Sequence, residues 1–442
     1  EQGAFLINKI LVVGSGAREH AIVKALSKSP KNKKIYCLCS NMNPGIAELC
    51  DEIIIDDINN PQNAGRYAKE INATLAIIGP ENPLANGVSD ILWDLGIPTI
   101  GPKKNLAQIE VSKSFTRNLQ KTYQIPGAPV YKYFKSMEGV SAFLKKLGEN
   151  YVVKYDGLAG GKGVKVSGDH LKNHHDAIEY CDNLIQKGST FLIEEKFIGE
   201  EFSLMSFCDG TNIKHMPAVQ DHKRAYDGDL GPNTGGMGSY SDQNHSLPFL
   251  KDSDIKEAQN INRETLKALK EHFKEDYKGI LYGGFMATAN GIKLIEYNAR
   301  FGDPEAMNVL SILKTDLVEI CEHIINGSLD KIDIQFENKA TVCKYAVPEG
   351  YPDNPIKNES IDVSKVKNSD LLYYASVDIK DGVLVESGSR TIATVGISNS
   401  IFSAEKIAEE SISCVEGPLF HRTDIGTPLL IEKRKNNMDS LR

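Results

Sequence analysis

Hydrophobic and polar positions in the first hundred residues alternate between two periods. Short apolar runs at 9–13, 35–39, 52–55, 75–78 and 98–100 have strand length. Helical spacing occupies 18–27 and 86–95. Strands alternating with helices predict a doubly wound parallel sheet with helices on both faces. Such sheets bind ligands beyond the carboxyl ends of their strands. Gly14-Ser15-Gly16 and Gly79-Pro80-Glu81 stand at two such ends. The texture changes from about residue 126. A strand at 151–154, a glycine-rich stretch at 157–163 and a strand at 164–167 form a strand–loop–strand unit, unlike the strand–loop–helix of a P-loop. Strands follow at 191–195 and 201–208. The polar, glycine-rich stretch 212–240 is expected to be a long loop. Amphipathic helices are predicted over 254–274 and 304–325. Short strands at 341–347, 371–378 and 391–397 and a closing helix at 401–414 predict a small α+β domain.

The chain has 442 residues, 41% hydrophobic and 25% charged, which fits a globular protein of two to four domains. Acidic residues outnumber basic ones by 59 to 51, a net charge of −8, so no electrostatic footprint for a polyanion is present. That argues against nucleic acid as a partner. No apolar run approaches the ~18 residues of a membrane helix, and residues 1–7 lack the basic start and long apolar middle of a secretory leader. The polar stretch 432–442 is expected to be a terminus or a linker. The eight cysteines form no CxxC pair and mostly sit in apolar surroundings. Reduced thiols in a cytoplasmic protein are therefore expected.

The stretch 14–20 follows a strand and opens a helix. Two readings remain open for it: a tight turn that needs glycine, or a phosphate or small-anion site at a helix start. It lacks the third glycine of a dinucleotide fingerprint, and Cys39-Ser40-Asn41 stands where a ribose-binding acid would be. Lys154 precedes four glycines within 157–163. Such a loop can cradle a polyphosphate with its amides; the alternative is a mobile hairpin with solvated lysines. Glu296 and Asn298 lie two apart on a predicted strand, so they share a face. A carboxylate and an amide oxygen suit a hard cation such as Mg²⁺, and Arg300 continues the same face toward a substrate anion. The alternative is an edge strand with a solvated face. Residues 220–224 and 231–238 mix acids, bases and amides with glycines, which suits a site that closes on a ligand. His222 alone is more often structural than catalytic. No Ser/His/Asp or Cys/His set is present.

These motifs, in this order, resemble the ATP-grasp superfamily and, more narrowly, the phosphoribosylamine–glycine ligase (glycinamide ribonucleotide synthetase) family. The resemblance runs from residue 9 to about 427. It implies a Rossmann-like N-terminal domain over 8–111, an ATP-grasp domain over 112–335 with a lid at about 126–198, and a C-terminal domain over 336–435. The implied reaction joins glycine to 5-phosphoribosylamine through glycyl phosphate, with ATP and Mg²⁺ or Mn²⁺. By resemblance, Glu296 and Asn298 are metal ligands, and Lys113 and Lys154 face phosphates. Glu194, Glu195, Lys196 and Phe197 form the hinge that meets adenine, Glu201 binds the ribose, and Arg224 and Asn233 are further ATP contacts. Gly14, Gly16, Arg18, Glu81, Asp221, Arg300 and Asp303 are candidates for the phosphoribosylamine and glycine pockets, with Arg300, Lys154 and Asp221 as the catalytic set. A monomer or weak homodimer is expected. The chain departs from many ATP-grasp ligases at Tyr282-Gly283-Gly284-Phe285, where an acidic metal ligand often stands. It departs from the narrower family at Gly388-Ser389-Arg390, where two glycines usually precede the arginine; that touches only the C-terminal contact. Two other readings stay open, an ATP-grasp ligase for another acid and a non-catalytic nucleotide-binding protein.

Overall fold

Ile10, Leu11, Val12 and Val13 are all completely buried. A strand with no exposed side must be covered on both faces, as in a parallel sheet between helices. The computed structural model describes residues 6–442; the expectation about a leader at 1–7 falls mostly outside them. Five parallel strands, β1 (Lys9–Val13), β2 (Lys34–Cys39), β3 (Glu52–Ile55), β4 (Leu75–Ile78) and β5 (Thr99–Ile100), lie in the order β3-β2-β1-β4-β5. The order reverses between β1 and β4, which opens a crevice at their carboxyl ends. Helix α1 (Ala17–Ser27) follows β1. Two short helices the hydrophobic pattern did not predict, α2 (Pro44–Leu49) and α3 (Pro61–Glu70), each begin with proline behind an asparagine whose side chain caps the first turn. The expected helix at 86–95 is instead α4 (Glu81–Ala85) and α5 (Val88–Asp94), separated by Gly87 at φ +87°. Helices α6 (Gln108–Val111) and α7 (Lys113–Thr122) lead out of this unit.

Strands β6 (Tyr131–Phe134), β7 (Tyr151–Tyr155), β8 (Val164–Val166) and β9 (Phe191–Glu195) form an antiparallel sheet in the order β6-β9-β7-β8. It carries helices α8 (Val140–Leu147) and α9 (His174–Gln186). Phe134, Leu144, Val153, Cys181 and Phe191 give it a hydrophobic cluster separate from the main core. The main core continues through β10 (Gly199–Asp209), β11 (Ile213–His215), β16 (Lys278–Thr288) and β17 (Gly291–Asn298), ordered β11-β10-β16-β17, under α10 (Asp252–Phe273). The expected helix at 304–325 is two, α11 (Glu305–Leu310) and α12 (Leu317–Asn326), the second capped by the Asp316 side chain.

The stretch 212–240, expected to be a loop, contains short strands. After β11 come β12 (Gln220–Asp221), a hairpin of β13 (Arg224–Tyr226) and β14 (Leu230–Asn233), and β15 (Gly238–Ser241). Runs of two to four residues carry no readable period, which is why the pattern missed them. β12 and β15 join the C-terminal sheet β12-β15-β18-β22-β19, built with β18 (Ala340–Pro348), β19 (Leu372–Tyr374) and β22 (Ile392–Ser398). The expected strand at 371–378 divides into β19 and β20 (Val377–Lys380), which pairs with β21 (Val383–Glu386). Helix α13 (Ile401–Ser413) covers the sheet but does not close the chain. β23 (Leu419–Phe420) pairs with β18, and 432–441 belongs to helix α14 (Pro428–Leu441). Arg442 anchors that end with a two-pronged ion pair to Asp254, both bonds 2.8 Å. All eight cysteines are free, six of them buried. No described helix is long and apolar enough to cross a membrane.

α13 lies so close to β22 that a Cβ on Gly396 would stand 1.9 Å from the Ala404 carbonyl oxygen. Gly396→Ala must push the helix off the sheet. A loss of about 2–3 kcal/mol is expected for such overpacking, read as a lower Tm in calorimetry with the ligand sites untouched. An unchanged Tm would show that the packing yields without cost.

Candidate active site

A cavity of about 870 Å³ opens where all these units meet. Its walls are strongly charged, and each charge is fixed by its element. On β17, Glu296 and Asn298 face the cavity, as does Arg300 just beyond the strand, while Tyr297 and Ala299 turn into the core. This is the alternation expected of a strand with one polar face. Glu296 stands opposite Gly284 across β16, where a bulge shifts the register.

Arg300 donates to Glu110 at 2.9 Å and to the Phe301 carbonyl at 3.3 Å, and its Nε lies 3.3 Å from Glu81. The contact with Glu81 is an ion pair without a hydrogen bond, and the two hydrogen bonds leave one N–H on each terminal nitrogen. Arg300 holds the Glu81 carboxyl down to about 2, helped by Arg18. Glu110 behaves oppositely: burial outweighs Arg300 and pushes its carboxyl up. Arg18 lines the cavity and donates to the Phe301 carbonyl at 3.2 Å.

Gly14 and Gly16 do not line the cavity. Glu19 explains them. Its carboxylate accepts from the Gly16 amide at 2.8 Å and from Arg18 Nε at 2.6 Å. A Cβ on Gly14, at φ +120°, would stand 2.7 Å from that side chain, and one on Gly79 only 2.3 Å from it. The helix start already holds an anion, the protein's own, so the turn reading of this loop is the one the geometry favours.

Lys113 donates to the Gly157 carbonyl at 2.9 Å, tying α7 to the glycine loop. Lys154 is buried at the cavity wall, 2.8 Å from Glu194 and 3.1 Å from the Ile295 carbonyl. With three N–H donors, it keeps one for the cavity. Burial lowers the Lys154 pKa. Glu194 also receives a bidentate fork from Arg117 at 2.6 and 3.0 Å. Burial opposes its ionisation, but Arg117 and Lys154 together hold the carboxyl at about 2. The side chains of Glu194, Glu195 and Lys196 all have partners within the protein. The Glu194 carboxylate is spent in this triad, Glu195 accepts from the Val130 amide, Lys196 donates to the Ser167 carbonyl, and none of Glu194, Glu195, Lys196 and Phe197 lines the cavity.

Arg224 and Asn233 stand directly opposite each other on the β13–β14 hairpin, and both line the cavity. Arg224 donates to the Gly231 carbonyl at 2.8 Å; Asn233 meets His170 of the β6–β9 unit at 3.2 Å. Glu201 lies in the wall, pushed up by desolvation against the pull of Lys223. Asp221 pairs with Lys223 at 2.7 Å. Glu305, buried beside them, is pushed up by burial and by Asp221. His222 is a buried, neutral histidine: desolvation, then Arg434, hold it down to about 3. Asp303 accepts from the Tyr345 hydroxyl and faces Arg390 at 3.7 Å. Arg390 reaches the cavity from the C-terminal sheet region and donates to the carbonyls of Gly235, Gly236 and Asp303.

Sequence reasoning missed Glu110 and Arg117. Arg117 lies one helical turn beyond Lys113, but its partner Glu194 is 77 positions away, and Glu110 meets Arg300 across 190. Nothing local marks either residue.

Family models for the N domain, the ATP-grasp (A) domain and the C domain of phosphoribosylglycinamide synthetase match residues 8–110, 111–306 and 341–428. The chain belongs to this family. The phosphoribosylamine–glycine ligase of Methanosarcina barkeri is 49% identical over 434 residues, covering 98% of this chain and all of the relative. That of Methanocaldococcus jannaschii is 50% identical over 444 residues, with the same coverage. The crystal structure of the Thermotoga maritima enzyme superposes with a TM-score of 0.80 at 28% identity, over 94% of this chain and 100% of that one. The biotin carboxylase domain of a Hydrogenobacter thermophilus 2-oxoglutarate carboxylase shares the fold, with a TM-score of 0.73 at 14% identity over 98% of this chain and 94% of that one. The chain is thus a multidomain α/β protein of a family of ATP-dependent ligases.

The Glu194 triad has a pH signature. Its folded pKa of about 2 lies below the 4.5 of an ordinary glutamate, so the stabilisation is complete above 4.5 and fades as pH falls toward 2. A shift of this size is worth about 3 kcal/mol. Urea titrations between pH 6 and 2 should show Glu194→Gln to be less stable at neutral pH but flatter in this window. Parallel pH curves for wild type and variant would refute the ion triad.

Proposed function

We propose that the chain ligates glycine to 5-phosphoribosylamine with ATP, by way of glycyl phosphate, giving glycinamide ribonucleotide, ADP and phosphate. The observation that carries this reading is the single cavity in which the oxygen pair of β17, Arg300, Lys113, Lys154, the glycine loop and the Arg18 and Glu81 that follow β1 and β4 of the parallel sheet all face one another. Units 8–111, 112–335 with a lid at 126–198, and 336–435 supply the walls. Glycine and phosphoribosylamine enter from the side of Arg18, Glu81, Asp221, Arg300 and Asp303; ATP lies against Lys113, Lys154, Glu201, Arg224 and Asn233. Gly14 and Gly16 serve this pocket by holding Glu19 and Arg18 in place. The compartment is the cytoplasm and the enzyme a monomer or weak homodimer.

Glu296 and Asn298 fit a divalent cation, Mg²⁺ or Mn²⁺, because they offer two hard oxygen donors on one wall of a polyphosphate-sized cavity. When bound, the cation neutralises phosphate charge. The remaining steps belong to the chain's own residues and the substrates. A glycine carboxylate oxygen attacks the γ-phosphorus, and the bond to the ADP oxygen breaks. The phosphoribosylamine nitrogen then attacks the acyl carbon; phosphate leaves, and the amine loses a proton. Lys113 and Lys154 stabilise phosphate charge, and the two free N–H groups of Arg300 hold the carboxylate in line. No side chain forms a covalent bond, in keeping with the missing nucleophile set. Phosphate release that requires both glycine and phosphoribosylamine tests the reading; release with another amino acid in place of glycine would redirect it.

Glu296→Gln should abolish turnover while the melting curve stays normal, a loss of several kcal/mol of transition-state stabilisation. Near-normal activity at ordinary Mg²⁺ would overturn the metal assignment.

Arg300→Lys keeps the charge but loses the fork. We expect activity to fall about a hundred-fold or more, with KM for glycine rising more than KM for ATP. Substantial activity with only a lower Tm would reduce Arg300 to a structural partner of Glu81 and Glu110.

A further inference from the structure

The β13–β14 hairpin pairs with no other strand. A lone two-stranded hairpin is marginally stable by itself, so its position must be set from outside. The support comes from the far end of the chain. Asp229, in the turn at φ +59°, receives the fork of Arg434 of α14 at 2.7 and 3.0 Å. Arg422 adds a bond to Asp229 at 3.1 Å and donates to the Arg224 carbonyl at 3.2 Å. Its side chain is completely buried. The neighbouring turn is closed the same way: the Gly228 amide donates to Asp424 at 2.9 Å, and the Thr423 amide donates to Asp227 at 2.8 Å.

The hairpin's other side meets the lid. Asn233 touches His170, and a Cβ on Gly161 of the glycine loop would stand 3.7 Å from the Thr234 carbonyl. The hairpin is thus a plate between the lid and the C-terminal segment, with Arg224 and Asn233 facing the cavity between them.

We propose that Arg422 and Arg434 are positioning residues for this plate, and that the C-terminal segment through them sets the affinity for ATP and the docking of the glycine loop. The inference rests on the reading of Arg224 and Asn233 as ATP contacts. Bidentate arginine–carboxylate bonds fix orientation as well as distance, so weakening them lets Arg224 drift without dissolving the core.

The test uses the full chain and the variants Asp229→Asn, Arg434→Gln, their double mutant, and Arg434→Lys. Steady-state kinetics, thermal melts, and hydrogen exchange with a non-hydrolysable ATP analogue and Mg²⁺ are compared. Each single variant should raise KM for ATP about ten-fold while KM for glycine stays put. The double mutant should add little to the worse single, because each removes the same Arg434–Asp229 fork, and Arg434→Lys should recover part of the loss. Nucleotide-dependent protection of residues 157–163 should fall in the same order. A lower Tm with unchanged KM for ATP, or an equal rise in both KM values, overturns the proposal. Arg224→Ala with an unchanged KM for ATP would instead sink the nucleotide reading; the clamp is then judged by exchange at 224–233, which must rise in the Asp229 and Arg434 variants if it exists.

Discussion

Arg300 is the joint on which the site depends. Its guanidinium draws Glu81, at the start of α4, and Glu110, on α6, onto the end of β17. Without that contact, the crevice of the parallel sheet and the oxygen pair Glu296/Asn298 would belong to separate surfaces. A buried charge is tolerable only when paired, so the pairing of one strand end with two carboxylates fixes the angle between two domains. The same residue then presents its remaining donors to the cavity. Scaffold and chemistry share one group, and each limits how the other can change.

The cavity as a whole follows this logic. Lys154 is oriented by Glu194, Glu194 by Arg117, and Arg390 by three carbonyls and Asp303. The charges of the cavity wall are held in place by partners within the protein, so little reorganisation is left for a ligand to impose. The β6–β9 unit that carries Lys154 and Glu194 has its own hydrophobic cluster, separate from the main core.

Much of this was legible in the sequence. The buried run 9–13, the strand at 75–78 and the alternation of Glu296, Tyr297 and Asn298 carry periods long enough to read, and they gave the parallel sheet and the strand that faces the cavity. The glycine loop announced itself by composition. What stayed hidden has two physical causes. Strands of two to four residues, such as Gln220–Asp221, take their structure from distant partners and leave no local pattern. Ion pairs such as Arg117–Glu194 join positions far apart in the chain, and polar residues in a run look solvated until the fold brings the partner. Glu194 is an example: its carboxylate reads as available until Arg117 arrives. The closing helix was missed because charged residues dominate 432–442, whereas its anchors, Arg434 and Arg442, are bound through their charges.

The C-terminal sheet has a consequence for how the protein is made. Its members β12 and β15 leave the ribosome well before their partner; the Ser241 hydroxyl meets that of Thr341 a hundred positions later. Until then β15 has an open edge and Tyr240, completely buried in the finished molecule, has no cover. Domains generally fold in order of synthesis, but here the middle of the chain must wait for the end. The three family segments are therefore units of sequence rather than of folding, and the long-range closure of this sheet is the kind of pairing that sets a slow rate.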